Sequence, residues 1–358
     1  MRVVPPVIIT DLKLTSSTAT EPFAPDAYDA GTTYLTGEIV SVAADFAIYE
    51  SQANANTGNT PNVSPLWWKK IWTTEAVYDV ETTYAAGDIV SSTTYHRRYE
   101  SLAGSNTGNP LPVPPETTTT YWLDIGPTNK WAMFDYATNQ QTICAYPLTV
   151  VFAPGERINT VGLTGLSNAT SAVISATSTL GGGLIFGPLT IDLNTRKVFD
   201  QYDYAFEPFS TAASTVILDI PPYSDVVVTV TLVNQSGYIK CGAISCGTNV
   251  YIGGLQNGAT NDGWNFSTID RDVFGNATLV PRRTLPKTEQ SLWLNSQYVD
   301  RAKAVRVNLN ATPALWVGLD DSTSNWFDTF AIMGIYTQFK IGAVVNNVAE
   351  ISLSLEEI

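Results

Sequence analysis

Histidine is the side chain most often used to move protons near neutral pH, and this chain of 358 residues contains one, His96. A Ser-His-Asp triad would have to use His96, which lies beside two arginines in a strand-like run over residues 95–99 without a nucleophile motif. A metal site rich in histidine is excluded by the same count. The sequence therefore predicts neither a catalytic triad nor a histidine-based metal centre.

The cysteine and carboxylate patterns do not supply another kind of active site. Cys144, Cys241 and Cys246 are too few for a disulfide framework and have no histidine nearby in the sequence for zinc. We interpret them as small buried hydrophobic residues, while a bridge between Cys241 and Cys246 stays open. The adjacent carboxylates at 320–321 and 356–357 are weak signals, because glycoside hydrolysis needs two acids about 5–9 Å apart in a cleft. We therefore predict no enzyme activity, no catalytic residue, no metal and no cofactor.

The charge balance restricts the partners of the chain. It has 19 Lys and Arg against 33 Asp and Glu, a net charge of −14, which argues against binding to nucleic acid. Charged residues make up 15 %, below the roughly 25 % of an ordinary soluble domain, so the polar surface must be built from Thr, Ser, Asn and Gln. No apolar run reaches the ~18 residues needed to span a bilayer, and prolines at 5–6 interrupt any signal peptide. We expect a protein that folds in a cytoplasm, without membrane insertion.

The strongest pattern is an internal repeat at an offset of 50 residues. Residues 28–59 and 78–109 are identical at 17 of their 32 positions, including the runs YD, TTY, IVS, YES and NTGN. Each unit is typical of two or three short strands around glycine turns, closed by a Trp strand after an Asn-Gly loop. About 50 residues make a marginal free domain, so Tyr and Trp must supply most of each core. Two copies in tandem indicate binding that is strengthened by avidity.

The pattern Tyr…Tyr-x-x-Gly-Asp-x-Val…Tyr-Glu-Ser…Asn-Thr-Gly…Pro…Trp over residues 26–126 resembles the small carbohydrate-binding modules of chitinases and cellulases. In those modules exposed aromatic side chains stack on sugar rings. The resemblance implies six candidate glycan-binding residues: Tyr34, Trp67, Trp68, Tyr84, Tyr121 and Trp122. Core packing is the alternative for Trp68 and Trp122. In that case Trp67 and Tyr121, one step earlier on the opposite strand face, are the better exposed candidates.

Six further segments resemble tail proteins of tailed bacteriophages. They are residues 5–11 (PPVIITD), 15–17 (TSS), 126–135 (GPTNKWAMFD), 310–318 (NATPALWVG), the aromatic strand at 327–339 and the closing strand at 350–355. In that family an opening segment is followed by one or more such modules and then by the Pro-Thr-Asn-x-Trp-Ala-Met-Phe-Asp motif. This chain carries two modules where one is common. The resemblance implies a virion tail protein and no defined catalytic activity.

The segment after the repeats has the pattern of a β-sandwich. Its β-branched runs are bounded by Gly, Pro, Asn and Asp clusters and lie at 148–152, 171–175, 215–220 and 226–233. In outline this segment is similar to galactose-binding-like jelly rolls, a fold that hosts both sugar sites and plain scaffolding.

The last hundred residues combine strands with one helix. Alternation at 288–295 predicts a strand, and residues 296–309 predict an amphipathic helix. The apolar face of that helix carries Val299, Ala302, Val305 and Leu309. We expect the final strand at 350–357 to add to the sheet edge of a neighbouring subunit.

We therefore predict a mainly β protein in five parts. They are an N-terminal arm (1–25), two carbohydrate-binding-like β modules (26–75 and 76–129), a jelly-roll-like β-sandwich (130–260) and an α+β assembly domain (261–358). The predicted function is that of a non-enzymatic structural protein in the tail or baseplate of a tailed phage, whose modules bind host-surface glycans. The expected partners are other tail and baseplate proteins, host cell-surface polysaccharide and further copies of the chain, in a virion assembled in the host bacterial cytoplasm. The alternative is a purely structural hub, neck or decoration protein whose modules bind neighbouring subunits.

Overall fold

The computed structural model describes residues 1–358 except 22, 24, 46, 180–181, 197, 209, 235–236, 272–273, 322–323, 325 and 346. Strands hold 46 % of the chain and helices 10 %, which confirms the mainly β class. Within the described residues no helix has both the length and the apolar character needed to cross a membrane.

Residues 26–75, here called module 1, form a small β unit. Its strands are Ile39–Val42, Ala47–Ser51 and Trp68–Thr73 in one sheet, with Thr33–Tyr34 paired to Asn56–Thr57 beside it. Two short 3-10 helices, Ala43–Asp45 and Pro61–Val63, connect these strands.

Residues 76–129, here called module 2, repeat the same unit. Its sheet contains Ala76–Val77, Ile89–Ser92, Arg97–Ser101 and Trp122–Pro127. The registers of the two modules agree, because Val40 lies opposite Tyr49 and Val90 lies opposite Tyr99. The repeat in the sequence is therefore a repeat in the structure.

The body of the protein begins with two sheets that enclose one core. The larger sheet has the order Leu184–Asp192, Ser171–Ser178, Val226–Val233, Leu148–Phe152, Leu14–Ser17. The smaller sheet has the order Ser214–Ile217, Thr160–Thr164, Ala243–Gly247. Phe152, Ile174 and Val228 from the larger sheet share a hydrophobic cluster with Leu163 and Ile244 from the smaller one. All four of the β-branched runs found in the sequence contain strands of this sandwich.

The three cysteines are free and buried in this region. Cys144 and Cys241 lie on the paired strands Thr142–Ala145 and Tyr238–Cys241, and Cys246 lies in the smaller sheet. Burial raises the pKa of the Cys241 and Cys246 thiols to about 12. The cysteines therefore serve as small hydrophobic residues, and the bridge left open by the sequence is not formed. Two short helices, Asn129–Phe134 and Gln201–Phe206, complete this half of the body.

An eight-stranded sheet forms the other half of the body. Its order is Val250–Tyr251, Arg2–Val4, Ala314–Val317, Ala331–Val345, Val348–Glu357, Thr284–Asn295, Gly254–Leu255, with Thr260–Asn265 also paired to Thr284–Asn295. A separate hairpin joins Thr268–Arg271 to Ala277–Val280. A short 3-10 helix, Asp328–Phe330, precedes the strand Ala331–Val345.

The predicted helix at 296–309 is present on this sheet. It consists of a 3-10 turn, Ser296–Tyr298, followed by the α-helix Val299–Asn308. Of the predicted apolar face, Ala302, Val305 and Leu309 are buried in the same cluster as sheet residues, whereas Val299 is half-buried and lies outside that cluster.

The final strand is in the interior of this sheet, so the prediction that it adds to a neighbouring subunit is wrong. Val348–Glu357 pairs with Ala331–Val345 on one side and with Thr284–Asn295 on the other. Its backbone groups are therefore already used on both edges. The alternation of buried residues such as Ile351 and Leu353 predicts a strand, but it does not report whether the strand has free edges.

The segment predicted as an N-terminal arm is built into both halves of the body. Arg2–Val4 lies between Val250–Tyr251 and Ala314–Val317 in the eight-stranded sheet. Leu14–Ser17 pairs with Leu148–Phe152 at the edge of the sandwich. The first seventeen residues therefore connect two sheets whose other strands are far away in the sequence.

Candidate functional site

Each module is built around three aromatic rings in the same arrangement. In module 1, Tyr34 lies 5.1 Å from Trp68 between ring centroids, and Tyr28 lies 5.9 Å from both. In module 2, the corresponding rings of Tyr78, Tyr84 and Trp122 lie 5.3–6.1 Å apart. Edge-to-face contacts of the Trp with both Tyr rings occur in each triad. The aromatic repeat therefore supplies the core of each module.

Hydrogen bonds fix these rings from within the module. The Tyr34 hydroxyl accepts from the amide of Asp29 at 2.8 Å and donates to its carbonyl at 3.2 Å. Tyr84 makes the same two bonds with Asp79. The indole N–H of Trp68 donates to the Asn59 carbonyl at 2.7 Å, and Trp122 donates in the same way to Asn109. The polar atoms of Tyr34, Trp68, Tyr84 and Trp122 are thus occupied inside their own modules, whereas the buried Tyr28 hydroxyl has no partner among the described residues.

Burial leaves four of the six candidate residues almost no free ring surface. Trp68 is 2 % exposed and Trp122 is 0 % exposed, while Tyr34 and Tyr84 are each 7 % exposed. Stacking on a sugar needs an exposed ring face, which these side chains do not offer in this conformation. Their arrangement matches the core-packing alternative.

Trp67 and Tyr121 are the candidates that reach the surface. Trp67 is half-buried and packs against the module 1 core, whereas Tyr121 is 40 % exposed. We expected both residues on a strand, but each lies in the turn or bend directly before the last strand of its module. Their carbonyls accept equivalent bonds from Asn56 and Asn106, which fix the two positions in the same way. The two side chains lie in different modules and do not form one site.

A groove that the sequence did not reveal lies between the two modules. It has a volume of about 450 Å³. Its polar and aromatic lining comes from module 1 (Asp45 and Thr74) and from module 2 (Thr82, Thr83, Tyr84 and Asp88). The described residues that line it include two carboxylates and no Lys, Arg or His. The groove therefore has an acidic, hydroxyl-rich wall. Because this wall contains residues from both modules, no local sequence pattern predicts it.

The two carboxylates of the groove are anchored by one oxygen each. Asp45 accepts from the Tyr49 hydroxyl at 2.7 Å, and burial together with this bond raises the pKa of Tyr49 to about 12. The other oxygen of Asp45 is buried without a hydrogen-bond partner among the described residues. Asp88 accepts from the amide of Ala85 at 2.7 Å. Both side chains are held in place and retain acceptor capacity.

His96 joins module 2 to the N-terminal segment. It has a φ of +56°, ends a turn, and precedes the strand Arg97–Ser101, so the predicted strand-like run begins later than expected. Its ring lies 2.7 Å from the Asp11 carboxylate and 3.1 Å from that of Glu21, and it stacks on Trp131 at 4.3 Å. Glu21 also accepts from the hydroxyl of Thr128. Because both ring nitrogens face carboxylates, this histidine has the contacts of a structural joint, not of a catalytic base beside a nucleophile.

The sequence analysis did not identify two acids near the same joint, the buried Glu75 and the half-buried Asp135. Glu75 lies 3.1 Å from Arg98 beside a cavity of about 220 Å³, and burial raises its pKa although Arg98 opposes the shift. Burial raises the pKa of Asp135 to about 7, against the opposing effects of its bond from the Ala137 amide and of Arg97. Perturbed acids mark functional sites or internal ion pairs. Glu75 here belongs to an ion pair.

No family model matches the chain, and no curated protein or solved structure shows significant similarity to it. Among the described residues, no three His, Cys, Asp or Glu side chains come together in a way that could hold a metal ion.

Proposed function

We propose that the chain is a non-enzymatic structural protein in the tail or baseplate of a tailed phage virion, and that its two modules bind glycans of the host surface. The observation that carries the glycan proposal is the duplicated module with Trp67 and Tyr121 at equivalent surface positions. An amphipathic ring at a module surface suits the mixed apolar and hydroxyl faces of a sugar. Two such positions in one chain support avidity for a polymeric ligand.

The composition supports a place inside a large assembly. Only 15 % of the residues are charged, and desolvation of a charge at a subunit contact is costly. The proposed partners are other tail and baseplate proteins and further copies of this chain. The proposed location is the virion tail, which is assembled in the host bacterial cytoplasm.

The burial of four candidate rings favours a second function. If the aromatic residues serve only to stabilise the modules, the modules themselves are attachment points for neighbouring subunits. The chain would then be a structural hub, neck or decoration protein. This alternative predicts that no polysaccharide binds and that module surfaces are covered in the particle.

Immunogold labelling of intact particles with antibodies against residues 26–126 tests the location. We expect label at the distal tail. Label at the neck or head would favour the hub or decoration function. Absence of label, together with absence of the protein from particle proteomics, would refute the virion proposal.

Sedimentation of the purified chain with insoluble host cell-wall polysaccharide tests glycan binding. We expect Trp67→Ala and Tyr121→Ala each to weaken binding about tenfold or more, because each removes one of two linked contacts. Tyr223→Ala is the control, since Tyr223 is 52 % exposed on the body and outside both modules. Equal binding by all four proteins would contradict the assignment of these two residues, and no binding by the unchanged chain would favour the hub function.

A further inference from the structure

The groove between the modules exists only because the modules are in tandem. Asp45 and Thr74 of module 1 face the turn of module 2 that contains Asp88. The matching turn of module 1 contains Glu38, and beside it the Tyr238 hydroxyl of the body donates to the Ile39 carbonyl at 3.4 Å. The same surface is therefore next to the body in module 1 and open to a groove in module 2.

The groove offers hydrogen-bonding groups beside an apolar floor. The Thr83 hydroxyl accepts from Thr107 at 2.7 Å, so its own hydrogen remains for a ligand. Asp88 has a second oxygen beyond the one bonded to Ala85. The lining also includes the half-buried Ile89 and the buried Val90, which make part of it apolar. A volume of about 450 Å³ falls in the range of small-ligand sites.

The charge of the lining selects the ligand. Asp45 and Asp88 contribute negative charge, and none of the described residues that line the groove carries a positive one. Anionic polysaccharides would be repelled, whereas a protonated amine would form a charge-assisted hydrogen bond with Asp88 and be attracted by the nearby charge of Asp45. The chain as a whole has a charge of −14, which adds to this preference.

We propose that the groove between the modules binds a segment of polysaccharide that contains sugars with free amino groups. This inference rests on the proposed glycan function and adds a second kind of contact to it. Trp67 and Tyr121 contact the polymer from single modules, and the groove recognises the amine. The selectivity for amino sugars arises from the tandem arrangement, which places Asp45 beside module 2.

Isothermal titration calorimetry of the full chain with three oligosaccharides tests the ligand class. The probes are a glucosamine pentamer, which is cationic, an N-acetylglucosamine pentamer, which is neutral, and an oligogalacturonate, which is anionic. We expect the affinity to fall in that order, and the preference for the cationic probe to weaken as salt increases. The proposal would be overturned if the oligogalacturonate bound as tightly as the glucosamine pentamer, or more tightly.

Substitution of the carboxylates tests the location of the site. Asp88→Asn and Asp45→Asn keep an acceptor for Ala85 and Tyr49 but remove the charge, and each should weaken the glucosamine pentamer about tenfold. Glu38→Gln is the matched control, because Glu38 accepts from the amide of Leu35 at the position in module 1 where Asp88 accepts from Ala85 in module 2, and Glu38 does not line the groove. Thermal unfolding of each variant checks that the fold is kept.

The outcomes separate this proposal from the broader one. Loss of binding in the two aspartate variants but not in Glu38→Gln supports the groove. Unchanged binding in the aspartate variants, with loss in Trp67→Ala and Tyr121→Ala, overturns the groove and leaves the glycan function intact. If the unchanged chain binds neither amino-sugar probe and no cell-wall polysaccharide, both proposals fail.

Discussion

Trp68 and Trp122 are the central rings of the two module cores, where each contacts two tyrosine rings edge to face. Their spacing identifies them as the central aromatic of each repeat, and the triads contain them in that role. Whether a ring faces solvent depends on which neighbours cover it. Here Tyr34 and Tyr84 cover it from positions about 35 residues earlier in the sequence, a distance that periodicity does not resolve.

Asp135 gives a prediction for the pH dependence of stability. Its pKa is raised to about 7 in the folded state, mainly by burial, from an ordinary value near 4. Between these values the folded state holds a proton that the unfolded state has released. Stability should therefore fall as pH rises from about 4 to about 7 and then level off.

Asp135→Asn should remove this decrease in stability between about pH 4 and pH 7. Asparagine can still accept from the amide of Ala137, which Asp135 does at 2.9 Å, but it carries no charge. We expect the variant to be more stable at pH 8 by about 1–2 kcal/mol, after allowance for the partial exposure of the site, and equally stable at pH 4. Urea unfolding at both pH values measures this. A gain of the same size at pH 4 would show that the effect is not the ionisation of Asp135.

At the scale of elements, the sequence predicts strands and the helix better than it predicts their partners. The helix Val299–Asn308 lies where its apolar spacing places it. The strand Val348–Glu357 also lies where alternation predicts it, but the sequence does not predict that Thr284–Asn295 and Ala331–Val345 pair with it. Edge and interior strands differ in pairing, and side-chain alternation does not record pairing.

The strand Arg2–Val4 gives the prediction at this scale. Val3 is fully buried between strands of the eight-stranded sheet, whereas Ile8, five residues later, is 71 % exposed. Val3→Asp would bury an unpaired charge and should cost about 4 kcal/mol or more. Ile8→Asp is the matched control and should change stability by less than about 0.5 kcal/mol. Thermal unfolding compares the two, and similar melting temperatures would show that the N-terminal strand does not contribute to the sheet.

At the scale of the whole molecule, the relation of the modules to the body was the least predictable feature. Repeats, fold class and composition are local or statistical properties, so they can be predicted from the sequence. The groove and the His96 joint depend on residues that meet from distant segments, such as Asp11 and His96. A single histidine without a recognisable motif around it does not predict from the sequence that it will connect two distant segments.

His96→Phe tests whether this joint holds module 2 to the body. Phenylalanine can keep the stack on Trp131 but removes both contacts to Asp11 and Glu21. We expect a loss of about 1–2 kcal/mol, because Asp11 is partly exposed and its contact is screened. Amide hydrogen exchange should become faster in residues 10–21 and 93–98 and stay unchanged in the eight-stranded sheet. Uniform exchange changes throughout the chain would contradict a local joint.

The position of Arg2–Val4 also constrains when the protein can fold. Arg2 is synthesised 315 residues before its partner Val317. At roughly 5–20 residues per second, the first strand waits about 15 to 60 s for the strand that pairs with it. The modules can fold during this delay because their pairings are local, but the eight-stranded sheet cannot close until Ala314–Val317, Ala331–Val345 and Val348–Glu357 have been made. Nascent chains stalled before residue 314 should therefore carry folded modules and an N-terminal strand that lacks one of its two neighbours, Ala314–Val317, and so keeps an open edge that needs chaperone protection.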